Sequence, residues 1–179
     1  AEALTAWFNP TINSYKRINA PTTASGATWA PNTITYSGNN RTHMIRVPGP
    51  GRFELRLMDG ATNPYLLQAG ILAAGINGIE KKINPGKPIN VNMYEEGHTV
   101  KGAKKLPLTL EKALSHLDKS KVLKDAFGKE TINSYIKLKN REIKKYNSSG
   151  IKKIGFKGSK QSNKKSIITQ WEKDNTLDC

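Results

Sequence analysis

Residues 40–65 read NRTHMIRVPGPGRFELRLMDGATNPY, and the fold turns on how this stretch is read. In its second half Arg52, Glu54 and Arg56 alternate with Phe53, Leu55 and Leu57. Side chains alternate across a β-strand, so one face is predicted to be apolar and to pack on a core. The other face becomes a floor of two guanidiniums flanking one carboxylate. Before it, His43 to Val47 predicts a second strand, and the PGPG of residues 48–51 a turn between the two. Such a hairpin brings Arg46 near Arg52. With Arg41, four arginines gather around Glu54, the single acid between Arg41 and Arg56.

A solvated strand face with a structural ion-pair ladder would show a similar pattern. The distribution of basic residues favours a functional reading. The chain has 29 Lys and Arg, of which only six are Arg, and five of those lie between Arg17 and Arg56. Lysine serves solubility elsewhere, whereas arginine is kept for the sheet, as bidentate recognition of carboxylate or phosphate requires. Working outward, no Asp or Glu occurs from Ala3 to Phe53. A field of one sign over that length favours a polyanionic ligand.

Toward the N-terminus, NPTINSYKR predicts a turn and then a loop or short strand carrying Lys16 and Arg17. Residues 19–32 are a long stretch rich in Ala, Thr, Pro and Gly, of the kind that is usually functional or disordered. Thr33 to Tyr36 alternates as a strand does, and residues 37–40 turn it into the hairpin. Toward the C-terminus, Asn63-Pro64 is a helix start, with Asn at the cap and Pro at the first position. The helix, about Pro64 to Lys81, is apolar on nearly every side and is predicted to be buried. Asn84-Pro85-Gly86 stops it, and residues 87–106 are a loop. Further helices are expected from Thr109, with the stripe Leu110, Ala113, Leu114 and Leu117, then over 120–127 and 131–146. The Lys-rich segment 147–165 reads as a mobile loop, and Ser166 to Asp174 as a last helix anchored by Trp171.

At 179 residues this is one domain or part of one. The net charge of +15 admits a nucleic-acid-binding module. However, 19 of the 23 lysines lie from Lys101 to Lys173 with few aromatics among them, which suits a solvated helical surface better. The sole cysteine is Cys179, so no internal disulfide is possible, and a reducing cytoplasmic setting is expected. The opening residues do not read as a signal peptide. The longest apolar run is too short and too Gly-rich to span a bilayer, so no membrane partner is expected.

The motifs NPTINSYKR, NNRTHMIR, GRFELRL-DG, NPY and KINPGK, taken together, resemble the C-terminal part of glutamine synthetases. The resemblance runs through residues 8–94, and the helices to Tyr146 are compatible with it. SGATWAPN, NPYLLQAG, EGHTVKGAK and the terminal Leu-Asp-Cys look most like the GlnT-type branch, which also contains γ-glutamylmethylamide synthetases. The implied fold is α+β: antiparallel strands, a buried helix and a helical C-terminal region. The whole chain, 1–179, would be a fragment of a single catalytic domain. Residues 1–62 would hold the active-site arginines, 63–108 the buried helix and a loop, and 109–179 the C-terminal helices.

By position, the resemblance assigns Glu54 to a metal-binding glutamate and Arg46 and Arg52 to nucleotide phosphate. It places Arg41 at the transferred phosphoryl group, Arg56 at the glutamate substrate and γ-phosphate, and Arg17 at a substrate carboxylate. Tyr94 falls at a tyrosine adenylylated in some bacterial members, although a partly buried loop tyrosine is the simpler reading. The implied activity is ATP-dependent amide formation from glutamate with Mg2+ or Mn2+, in a ring-shaped homo-oligomer. Ammonia is the expected amine and methylamine the alternative. Common bacterial members carry a flap glutamate after the Lys-Arg; here INAPTTASGATWAPN replaces it, longer and without an acid. Trp29 in that segment could meet a methylammonium through its ring face.

Overall fold

The computed structural model describes residues 1–19 and 30–149, with Trp171, Asp174 and Asn175 beyond them. The hairpin forms, but of the expected apolar face only Leu57 is buried, and Phe53, near the turn, is 60% exposed. β2 (Ile45–Gly49) runs antiparallel to β3 (Arg52–Leu55), turned by Pro50 and by Gly51 at φ 71°. Positive φ is a glycine conformation, so the second Gly of PGPG sits where the turn needs it. The register pairs Ile45 with Leu55, Arg46 with Glu54 and Gly49 with Arg52, and it slips between Arg46 and Gly49. Pro48 lies in that slip, where a residue without an N–H costs no ladder bond. The slip places Arg46 opposite Glu54 rather than beside Arg52.

On the other side of β2, β1 (Tyr36–Ser37) pairs in parallel, giving the order β1-β2-β3. The sheet is therefore mixed rather than wholly antiparallel. Residues 38–44 make a short connection for a parallel pair, and only two residues of β1 join the ladder. Thr33 instead makes an isolated bridge to Lys105.

The N-terminal segment departs from expectation. NPTINSYKR holds no strand or loop at Lys16 and Arg17 but a helix, α2 (Ile12–Ile18), preceded by the short α1 (Thr5–Phe8). Thr11 accepts from the Ser14 amide while Ser14 accepts from the Thr11 amide, a reciprocal cap with Ser at the position usually held by Glu. Trp7 and Phe8 of α1 are fully buried, with Leu57, Leu110, Leu117 and Ile132. The ring of Trp7 meets Phe127 and Tyr135 edge-on, at 5.0 and 6.2 Å between centroids. Tyr135 Oη donates to the Ala6 carbonyl at 2.7 Å.

The helices that complete this core follow their sequence signals closely. Thr109 caps α4 (Leu110–Asp118) and Ser120 caps α5 (Lys121–Phe127). Gly128, at φ 81°, ends α5 and begins α6 (Lys129–Ser148). The stripe Leu110, Ala113, Leu114 and Leu117 is buried whole, against Ile132 and Ile143 of α6.

α3 (Pro64–Glu80) also starts where expected, with the Asn63 side chain accepting from the Tyr65 and Leu66 amides. The expectation that it is buried is overturned. One face packs on α1 and α5, and Gly70 is its only buried residue. Tyr65, Leu72, Ile76 and Ile79 stand open on the other, with Leu72 63% exposed. An all-apolar helix needs neighbours on every side to be buried. The described residues supply them on one.

Asn147 and Ser148 close α6 rather than opening the Lys-rich loop. Residues 150–165 of that expected loop, most of the expected last helix, and residues 20–29 with Trp29 lie outside the described residues. Trp171 is helical and meets the Tyr146 ring edge-on at 5.1 Å.

Candidate functional site

The hairpin register sets the charge pattern of the site. Glu54 lies across from Arg46 and two residues before Arg56, so one carboxylate oxygen goes across the ladder and the other along its own chain. Arg46 Nη1 donates to Oε2 at 2.7 Å, and Arg56 Nε donates to Oε1 at 2.9 Å. The bond from Arg46 holds the Glu54 carboxyl below the usual carboxylate range. Arg46 Nε and Nη2 both donate to Asn39 Oδ1, with 2.9 Å from Nε. Arg46 is thereby fixed at both ends of its guanidinium, while the carboxylate screens it from Arg56.

Arg56 is not satisfied in the same way. Its Nη1 is buried and has no hydrogen-bond acceptor among the described residues. A buried donor without a partner costs free energy, and a guanidinium is matched best by a planar carboxylate or a phosphoryl group. Arg56 therefore has an unmet need that an anionic ligand would fill.

Beside this clamp lies a cleft of about 680 Å³, lined by Asn39, Asn40, Arg41, Thr42, Arg46, Asn90 and Asn92. Arg41 is exposed at its wall. The site thus gathers Arg41 and Arg46 at one cleft and links Arg56 to it through Glu54. Arg52 is set apart, exposed at the hairpin end opposite Gly49. Arg17 is carried by α2. Its Nη2 donates to Asn9 Oδ1 and to the Leu57 carbonyl, both at 2.9 Å, so part of its guanidinium ties α2 to the chain after β3. Burial lowers its pKa from arginine's ordinary value.

Tyr94 lies within electrostatic reach of Arg56 and Arg17, with burial pushing its hydroxyl up to about 12. That hydroxyl is shielded from solvent in this conformation. Transfer of a nucleotidyl group to it would need the loop to open.

The residues missed by sequence reasoning are the asparagines of the cleft wall. Asn39 and Asn40 read as turn formers. Asn90 and Asn92 sat in a loop with no assigned role. With a bend at Val91 between Asn90 and Asn92, no periodic pattern marks them.

A divalent metal would need several oxygen ligands gathered at one point. No three His, Cys, Asp or Glu among the described residues stand close enough to hold one. Both oxygens of Glu54 are engaged by arginines. These residues do not fit a divalent cation by themselves. No helix among them is long and apolar enough to cross a membrane.

The family model described as glutamine synthetase, catalytic domain, matches residues 1–156. A glutamine synthetase of Rhizobium leguminosarum bv. phaseoli is 55% identical over 99% of this chain and 37% of its own length. A glutamate–methylamine ligase of Methyloversatilis universalis is 44% identical over 82% of this chain and 33% of its own. Among solved structures, a GmaS–ADP complex superposes with a TM-score of 0.77 at 49% identity, over 99% of this chain and 37% of that one. The chain therefore spans little more than a third of the length of the relatives it matches. It belongs to the glutamine synthetase catalytic-domain family.

Proposed function

We propose that this chain supplies the phosphoryl-binding half of the active site of an ATP-dependent glutamate–amine ligase. The observation that carries the reading is the buried, unsatisfied Nη1 of Arg56, one carboxylate away from the Arg41–Arg46 cleft. In such a ligase ATP phosphorylates the γ-carboxylate of glutamate, and an amine then displaces the phosphate. The first step brings two anions together and the second expels phosphate from an anionic acyl phosphate, so the protein's work is positioning and charge neutralisation. Arg46, held rigid by Asn39 and Glu54, would take nucleotide phosphate. Arg41, free at the wall, would follow the transferred phosphoryl group. Arg56 would hold the glutamate γ-carboxylate as it becomes an acyl phosphate. Arg52 would reach phosphate from the hairpin end, and Arg17 would keep a substrate carboxylate in register through its remaining donors.

Glu54 serves first as the spacer that lets two guanidiniums face one ligand. Mg2+ or Mn2+ would join it only with acids from elsewhere in the ligase, since the described residues do not make a metal centre. The remainder of the ligase would also cover the open face of α3. Ammonia is the proposed amine, with methylamine as the second reading because relatives of both names match. A cytoplasmic, ring-shaped homo-oligomer completes the proposal.

The test is phosphate release by the whole ligase, dependent on ATP, glutamate and either ammonium or methylamine. Arg56→Ala should impair glutamate use or phosphoryl transfer, and Arg52→Lys should lower activity because a point charge replaces a fork. Residues 1–179 alone should be inactive. Normal kinetics in Arg56→Ala would return the arginine clamp to a structural role.

A further inference from the structure

His43 is fully buried, whereas His98 and His116 are exposed. A buried imidazole must have both nitrogens bonded or lose the free energy of their hydration. Nε2 lies 3.0 Å from the Val91 carbonyl oxygen, and Nδ1 lies 3.0 Å from Thr35 Oγ1. A carbonyl only accepts, so Nε2 carries the proton and Nδ1 accepts from the Thr35 hydroxyl. Burial lowers the pKa of the ring, in keeping with this neutral tautomer.

The Val91 carbonyl also accepts from Asn40 Nδ2 at 3.0 Å. Asn40 Oδ1 in turn accepts from the Thr42 amide at 2.9 Å and the Thr42 hydroxyl at 2.7 Å. Thr42 Oγ1 accepts from the Met93 amide at 3.0 Å. Asn40, Thr42 and His43 thus grip Val91 and Met93 from both sides of Arg41. The residues beside the gripped ones, Asn90 and Asn92, line the arginine cleft. The Ile89 amide, beside Asn90, adds a bond to the Tyr36 carbonyl at 3.0 Å.

We infer that His43 is a positioning residue for the phosphoryl cleft: its Nε2–H holds the Val91 carbonyl so that Asn90 and Asn92 line the cleft together with Arg41. The inference deepens the proposed function and rests on it for the role of the cleft, but not for the grip itself. It differs from a packing role in what a substitution should preserve. Glutamine can place a donor near the position of Nε2, whereas asparagine reaches only that of Nδ1, and leucine fills space with neither.

Two measurements separate the possibilities. The first is amide exchange in residues 1–179, read at Met93, with the α4 amide of Ala113 as a folding control. His43→Asn and His43→Leu should speed Met93 exchange about ten-fold, the loss of roughly one hydrogen bond, with Ala113 unchanged, and His43→Gln should hold it near wild type. The second is steady-state kinetics of the whole ligase, where His43→Asn should raise KM for ATP about ten-fold with kcat nearly kept, and His43→Gln should restore most of the loss. Equal behaviour of the Gln, Asn and Leu variants in both would overturn the inference. If the exchange pattern holds but the wild-type ligase forms no amide, the grip stands and the proposed function falls.

Discussion

α4 and α3 are both helices rich in apolar residues, yet one is buried along a whole stripe and the other is half open. α4 carries Leu110, Ala113, Leu114 and Leu117 on one side and Glu111, Lys112 and Ser115 elsewhere, and its stripe disappears into the core. α3 shows no such polarity, and Tyr65, Leu72, Ile76 and Ile79 remain exposed. An amphipathic pattern says which face is covered and that the rest of the same unit covers it. An all-apolar pattern says only that covers are needed on every side. On the proposed function, with the chain at little more than a third of its relatives' length, the rest of such a ligase would supply one of those covers.

The widest separation between the two helices should appear on truncating a leucine in each. Leu117→Ala removes a fully buried side chain and should destabilise residues 1–179 by about 2–5 kcal/mol in chemical denaturation. Leu72→Ala should change the same measurement by no more than about 0.5 kcal/mol. In the whole ligase Leu72→Ala should become costly, if the open face is covered there. A neutral result in both settings would remove the reason for assigning that face a cover.

Within α3 the packed and open faces can be compared through glycine. A Cβ on Gly70 would lie 2.8 Å from Leu4 Cδ2 and 3.2 Å from Phe8 Cε1, whereas one on Gly75 would meet nothing within 4 Å. Gly75→Ala should stabilise by about 0.5–1 kcal/mol through helix propensity. Gly70→Ala gains the same propensity but overpacks the contact with α1, at about 1–3 kcal/mol, and should be destabilising on balance. Matching shifts in melting temperature would mean that α3 does not press on α1 as the structure has it.

How much was legible beforehand follows the same division. The hairpin, the helix start at Asn63-Pro64 and the three C-terminal helices were readable because each carries its own local signal: alternation, a cap, or a one-sided stripe. α2 was not, because its cap pairs Thr11 with Ser14 where a Glu or Gln would have been noticed. The register slip at Pro48 was not, because a bulge leaves no mark on a period-two pattern. The arginines were legible as a set from their segregation from lysine, but their grouping was not: Arg46 rather than Arg52 shares Glu54 with Arg56. The role of His43 depended on Val91, 48 residues away, and no local pattern foretells that contact. Thr11→Ala should test the α2 reading directly, costing about 1 kcal/mol of stability.

The smallest expected effect concerns Glu54, the polar counterpart of the buried stripe. Its carboxyl is held below the ordinary range in the folded chain, chiefly by the bond from Arg46. A depressed folded value means that the unfolded chain takes up the proton first as pH falls. The pair therefore stabilises fully above the ordinary carboxylate range, and its contribution is lost as pH drops from there through the folded value. The Glu54 side chain is 43% exposed, so solvent screens the interaction and the contribution is only about 0.2–1 kcal/mol. Denaturation of wild type and Glu54→Gln at pH 7 and in the acid range should show a stability gap at neutral pH that closes on acidification. Added salt should shrink the gap at pH 7 as well, because the pair is open to solvent. A gap that stayed constant with pH would mean that Glu54 acts through its hydrogen-bond geometry, which glutamine only half reproduces, and not through its charge. Arg46 and Arg56 would then be positioned without needing a carboxylate between them.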